Sequence, residues 1–138
     1  MANLLKRYFL AILVLVFLMG CSNAEESETM DLEQTGILAN WKFEKRFVNN
    51  IANLAVECCD YIEFSDDSHD NDLKGSFTSR GTGYETFGTF EINTASQVIT
   101  FHFNDNQLIY WYDLQGDRLT FDFEENGQEV EEVWIRVE

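Results

Sequence analysis

The 138-residue chain is predicted to be all-β, an eight-stranded antiparallel up-and-down barrel with one short helix, on three observations. Runs rich in Phe, Tyr, Val, Ile and Thr recur roughly every eight to twelve residues from about Tyr61 onward, the rhythm of a sandwich or barrel. Within the later runs, apolar and polar residues alternate with the period of a half-buried strand. Between the runs stand Gly, Asn and Asp, and proline is absent from the whole chain. Turns must therefore use residue types that tolerate a left-handed backbone.

The N-terminus carries a different signal. Lys6 and Arg7 precede an unbroken apolar run from Tyr8 to Met19, followed by Gly20 and Cys21. A membrane-spanning helix needs roughly 20 apolar residues, and this run is shorter, with its basic residues on the amino side, as in the apolar region of a secretory signal peptide. The segment Leu18-Met19-Gly20-Cys21 resembles the lipobox of bacterial lipoproteins. That resemblance implies cleavage before Cys21 and attachment of a diacylglycerol to its thiol, so residues 1–20 are expected to be a lipoprotein signal peptide and the membrane to be a partner through the lipid anchor. Ser22 and Ala24 also satisfy an ordinary small-x-small cleavage pattern, the competing reading.

Residues 21–34 are polar and acidic, without a hydrophobic pattern, and read as a flexible tether before a domain spanning 35–138. Glu25 and Glu26, close behind the cysteine, resemble the acidic export tags that send some Bacteroidetes lipoproteins to the cell surface. The expected address is the cell envelope at the outer membrane, with surface exposure open. Without residues 1–20 the chain keeps all 25 acidic side chains and loses two of its nine basic ones, Lys6 and Arg7, for a formal charge of −18. Such a surface repels polyanions, whose binding depends on Lys and Arg neutralising phosphate, so nucleic acid is not an expected partner. The simplest role for the charge is solubility of an aromatic-rich domain.

The strands follow in order. Ile37 to Phe47 supplies the opening strand, and Tyr61 to Phe64, Leu73 to Ser79 and Tyr84 to Ile92 the next three, the last pair joined through Gly81 and Gly83. Ile99, Phe101 and Phe103 share one strand face opposite Thr100 and His102. Leu108, Tyr110, Tyr112 and Leu114 oppose Ile109, Trp111 and Asp113; Leu119, Phe121 and Phe123 alternate with Arg118, Thr120 and Asp122; Val133, Ile135 and Val137 alternate with Trp134 and Arg136. The connections Asn104-Asp105-Asn106, Gln115-Gly116-Asp117 and Glu125-Asn126-Gly127-Gln128 have hairpin chemistry. A meander of eight strands closes naturally into a barrel, which removes exposed sheet edges. Val48, Ile51, Leu54 and Ala55 recur at helical spacing behind Asn49 and Asn50, which predicts the short helix between Val48 and Glu57.

Trp41, the segment Cys59-Asp60-Tyr61-Ile62-Glu63-Phe64 and the closing Trp134-Ile135-Arg136-Val137 resemble the lipocalin-like lipoproteins of Bacteroidetes over roughly residues 35–138. The Gly-x-Trp signature of lipocalins is not intact, because Ala39 stands where its glycine would be. The resemblance implies a structural pair, Trp41 on the first strand against Arg136 on the last, closing one barrel end with a cation over an aromatic face.

No constellation for chemistry stands out. The run Asp66-Asp67-Ser68-His69-Asp70-Asn71-Asp72 superficially matches a calcium loop, but Asn71 and Phe77 stand where an EF-hand needs glycine and glutamate. It reads as a solvated hairpin loop, and no metal or cofactor is expected. Cys58 and Cys59 lack the two-residue spacing of redox or zinc sites and read as structural thiols, with a disulfide left open. His69 and His102, the two imidazole bases, lie in no catalytic motif, and Glu131 and Glu132 point to opposite strand faces, so catalysis is not expected. Two roles remain. The barrel interior, with Phe90, Phe101, Phe103, Tyr110, Tyr112 and Phe121 as candidate lining, could hold a small apolar ligand, although eight strands leave an interior that side chains alone can fill. Alternatively the barrel is a rigid scaffold whose outward tryptophans, expected to be Trp111 and Trp134, meet a protein partner, unidentified by the sequence.

Overall fold

The computed structural model describes residues 30–53, 60–69 and 72–137. Cys21, the expected signal segment, Cys58, Cys59, Asp70 and Asn71 lie outside the described residues. The chain folds as a closed barrel of antiparallel strands. Its eight long members are β1 (Asn40–Val48), β3 (Tyr61–Asp66), β4 (Lys74–Gly81), β5 (Tyr84–Asn93), β6 (Val98–Phe103), β7 (Asn106–Gln115), β8 (Arg118–Glu125) and β9 (Gln128–Val137). Each pairs with the next, and β1 closes the ring by pairing with β9, from Asn40 opposite Val137 to Val48 opposite Val130. Closure satisfies backbone groups that an open sheet would leave unpaired at its edges. A further strand, β2 (Ile51–Asn53), extends one side of β1.

The hairpins use the expected residues. Asn104 and Asp105, and Asn126 and Gly127, have positive φ, the backbone of the two-residue turns whose twist suits adjoining strands. Gly116 and Gly83 are likewise left-handed. Gly88 faces the interior opposite Phe77, and any Cβ there would lie 2.1 Å from the His102 carbonyl, so β5 can approach β6 this closely only with glycine.

Over its described part, the span expected to be helical between Val48 and Glu57 is a strand and a turn. Residues 51–53 are strand, and Asn49 and Asn50 take φ of 50° and 63°, forming a hairpin turn that sets Val48 opposite Ile51. Between Val48 and Ile51 the turn is set by two consecutive asparagines, a residue type enriched in this left-handed conformation. Asn49 secures the turn against β9, donating its N–H to the Glu129 carbonyl and accepting from the Glu129 N–H through its side chain. Residues 54–57 of the expected helix lie outside the described residues.

The short helix instead is α1 (Leu32–Thr35), inside the stretch read as tether. Asp31 caps it, accepting from the Gln34 N–H while the Gln34 side chain accepts from the Asp31 N–H, a reciprocal capping box. Gly36 ends it with φ of 74°. Leu32 and Ile37 are buried in the core. A single turn of helix is too short to stand by itself; burial of Leu32 at the barrel end holds it there.

Trp134 is the other correction. It was expected on the outer face, but it packs inside against Phe43 and Phe121 at centroid distances of 5.2 and 6.4 Å. Pairing decides this. Leu119 lies opposite Trp134 and Phe121 opposite Glu132, so Trp134 and Glu132 share the interior face while Val133 and Ile135 take the other. Both faces of β9 are apolar enough to be buried, and only its register against β8 and β1 selects one.

Candidate functional site

The two barrel ends differ. At one end α1 and the segment behind it form a plug. Trp41, fully buried, donates its indole N–H to the Ile37 carbonyl at 2.9 Å. The Arg136 guanidinium lies 4.6 Å from the Trp41 ring, donates to the Gly36 carbonyl at 2.7 Å and meets Asp117 at 3.1 Å. One cation thus ties the first strand, the last strand, the plug and the β7–β8 turn together.

The opposite end, where the β1–β2, β4–β5, β6–β7 and β8–β9 turns gather, is hollow. A bulge in β1 between Phe43 and Lys45 shifts the alternation, so Arg46 and Val48 follow Trp41 and Phe43 onto the interior face. Arg46 pairs with Glu132 at 3.1 Å, also contacts Glu125, and lies 5.8 Å from the centre of the Phe123 ring. Phe123 in turn stacks on Tyr110 at 4.2 Å. Around Arg46 and Glu132 is a cavity of about 540 Å³, bordered also by Asp60, Ser79, Tyr84 and Trp134. It shares Ser79, Glu132 and Trp134 with an adjoining, mainly apolar recess of about 200 Å³ between Ile62, Phe77, Phe101, Phe103 and Leu108.

Of the six candidate lining residues, Phe101, Phe103, Tyr110 and Phe121 border that recess. Phe90 and Tyr112 do not; Phe90 packs edge-on against Phe64 in the filled part of the core, and Tyr112 lies opposite Phe121. The polar mouth was missed entirely. Arg46 and Glu132 sit in stretches whose facing cannot be read without the bulge and the β9 register, and no local motif marks them.

Electrostatics at the mouth are crowded. Burial pushes the Glu132 carboxyl above its usual range, Glu125 and Asp60 add to the rise, and Arg46 and the Trp134 indole oppose it. Burial, with Glu132 and Glu125 behind it, pushes the Tyr110 phenol up to about 12. The fold therefore favours the neutral phenol. Stability from this group is present in full below the ordinary value of 10 and is lost as pH rises from there through 12. We expect a phenolate absorbance titration to show one tyrosine ionising last, near 12, and Tyr110→Phe to remove that step.

Elsewhere the acidic loop after β3 spends its carboxylates on its own backbone: Asp66 accepts from Ser68, Asp67 from His69 and Asp72 from Lys74. Such side-chain turns are ordinary loop chemistry. Among the described residues no group of His, Cys, Asp and Glu is placed to hold a metal ion. His102 is exposed on the outer face of β6. So is Trp111 on β7, 59% accessible, beside Ile109.

By fold and site the molecule is a small closed β-barrel, plugged at one end and hollow at the other, with a half-buried ion pair in the hollow. No protein-family model matches the chain, and no match to it was found among curated proteins or solved structures.

Proposed function

We propose that this chain is a lipocalin-like envelope lipoprotein, anchored at the outer membrane through Cys21, whose barrel is a non-catalytic binding module for a small apolar ligand. The observation that carries the binding reading is the aromatic recess between Phe77, Phe101, Phe103 and Tyr110, which communicates with a wider polar mouth. The mouth volume falls within the range of ligand pockets, about 300–1,000 Å³, and a barrel serving only as scaffold has no need to leave its interior unfilled. The anchor rests on the basic, apolar and Leu-Met-Gly-Cys pattern of residues 6–21. Native mass spectrometry of the protein from its own host tests both parts. A chain beginning at a diacylated Cys21, with a small molecule that survives desolvation and leaves on denaturation, is the expected result. A chain beginning at Glu25 without lipid would sink the anchor.

One observation favours a second reading, a scaffold for a protein partner. Trp111 and Ile109 form an exposed apolar step on the outer face of β7, and tryptophan is enriched where interfaces gain most of their energy. An empty barrel in the same mass measurement, with Trp111 protected in a complex, would move the function to that face.

A further inference from the structure

We propose that the guest of this barrel is an uncharged amphiphile with a hydroxyl head, seated where Trp134 and Glu132 meet and with its tail in the aromatic recess. The inference rests on the ligand-binding reading above and names the chemistry of its ligand.

Trp134 is 7% exposed and borders both the mouth and the recess; its buried indole N–H lies near enough to the Glu132 carboxylate to favour its charge but makes no well-formed hydrogen bond to it. A buried donor left unmet costs about 1–3 kcal/mol, so this corner calls for an acceptor. Across from it, Glu132 is a desolvated carboxylate that Arg46 engages at 3.1 Å through a single guanidinium nitrogen. It has acceptor capacity to spare. A hydroxyl both accepts and donates, so one such group between the two satisfies the indole N–H and adds a donor to the carboxylate.

Charge argues against an anionic head, and hydrogen bonding at the indole against a cationic one. Among the described residues, the mouth holds Asp60, Glu125 and Glu132 against Arg46, a net of two negative charges. Arg46 already spends one nitrogen on Glu132 and another on Glu125. A fatty carboxylate would have to displace one of those acids, and would bring a further negative charge into a low-dielectric site. An ammonium is welcome to the carboxylates but has no acceptor for the indole N–H. Beside the corner, the recess between Ile62, Phe77, Phe101 and Phe103 is mainly apolar, with Ser79, Thr86 and Glu132 at its border, and its small volume suits a short tail.

The test is isothermal titration of the full chain with 1-octanol, octanoate and octylamine, which share a tail and differ in the head. Octanol is expected to bind tightest, by about tenfold or more, the equivalent of about 1.4 kcal/mol. Trp134→Phe keeps the ring in the core and removes the N–H; it should weaken octanol about fivefold while leaving octylamine unchanged. Glu132→Gln should narrow the gap between octanol and octanoate, and it gives an independent reading if the tryptophan variant fails to fold. Octanoate or octylamine binding tightest would overturn the hydroxyl assignment and leave the ligand-binding reading standing. Binding of none of the three would overturn both, leaving a polar corner filled by water alone.

Discussion

Trp41→Ala is expected to destabilise the barrel by about 4–5 kcal/mol, the upper part of the range for truncating a large aromatic in a core. Three losses coincide there. The side chain is wholly buried, so its removal opens a cavity between the plug and the strands. The Ile37 carbonyl loses its buried donor, which the indole supplies at 2.9 Å. Arg136 loses the ring it lies over and keeps only Gly36 and Asp117. A domain of this size has roughly 5–15 kcal/mol in total, so the variant should be marginal at 25 °C. Urea unfolding at matched slope measures it. Trp41→Phe separates the terms: it preserves most of the packing and should lose about 1–2 kcal/mol, mainly the indole hydrogen bond. Equal losses in the two variants would mean that packing contributes little at this end.

Arg46→Ala is expected to be the next largest, about 3 kcal/mol at neutral pH, at the low end for breaking a buried pair because Arg46 is partly solvated. Its removal leaves Glu132, largely desolvated, near Glu125 and Asp60 with no cation among the described residues of the mouth. The pH dependence identifies the cause. Glu132 already has a folded pKa above its ordinary 4.5, so its contribution to stability is full below 4.5 and is lost as pH rises through the folded value. Without Arg46 that folded value rises further. The deficit of the variant should therefore shrink on acidification, as Glu132 takes up its proton, to the smaller loss of packing against Phe123. Adding Glu132→Gln should recover most of the neutral-pH loss, and a double-mutant cycle would measure the coupling. A deficit independent of pH would assign the effect to packing alone.

These two sites differ in how far they could be read from the chain. Trp41 and Arg136 were named from a resemblance, and the described barrel puts one over the other. Arg46 and Glu132 were invisible. In β1 the run Lys42-Phe43-Glu44-Lys45-Arg46-Phe47 alternates in neither phase for long, since a bulge lies within it, and a bulge is decided by the partner strand.

Sequence alone determined what depends on neighbours along the chain. Alternation in β6, β7 and β8 reports which side chains leave water, since strand geometry sends successive residues to opposite faces. Asn104-Asp105 and Asn126-Gly127 report hairpins because few residues accept a left-handed backbone. Tertiary structure decided what depends on contacts between distant strands. Closure of β1 on β9 fixes the register that turns Trp134 and Glu132 inward. Burial against the barrel end makes one turn of helix around Leu32 part of the fold. The hollow follows from these: no short stretch of chain encodes an ion pair whose members stand 86 residues apart and meet only when the sheet closes.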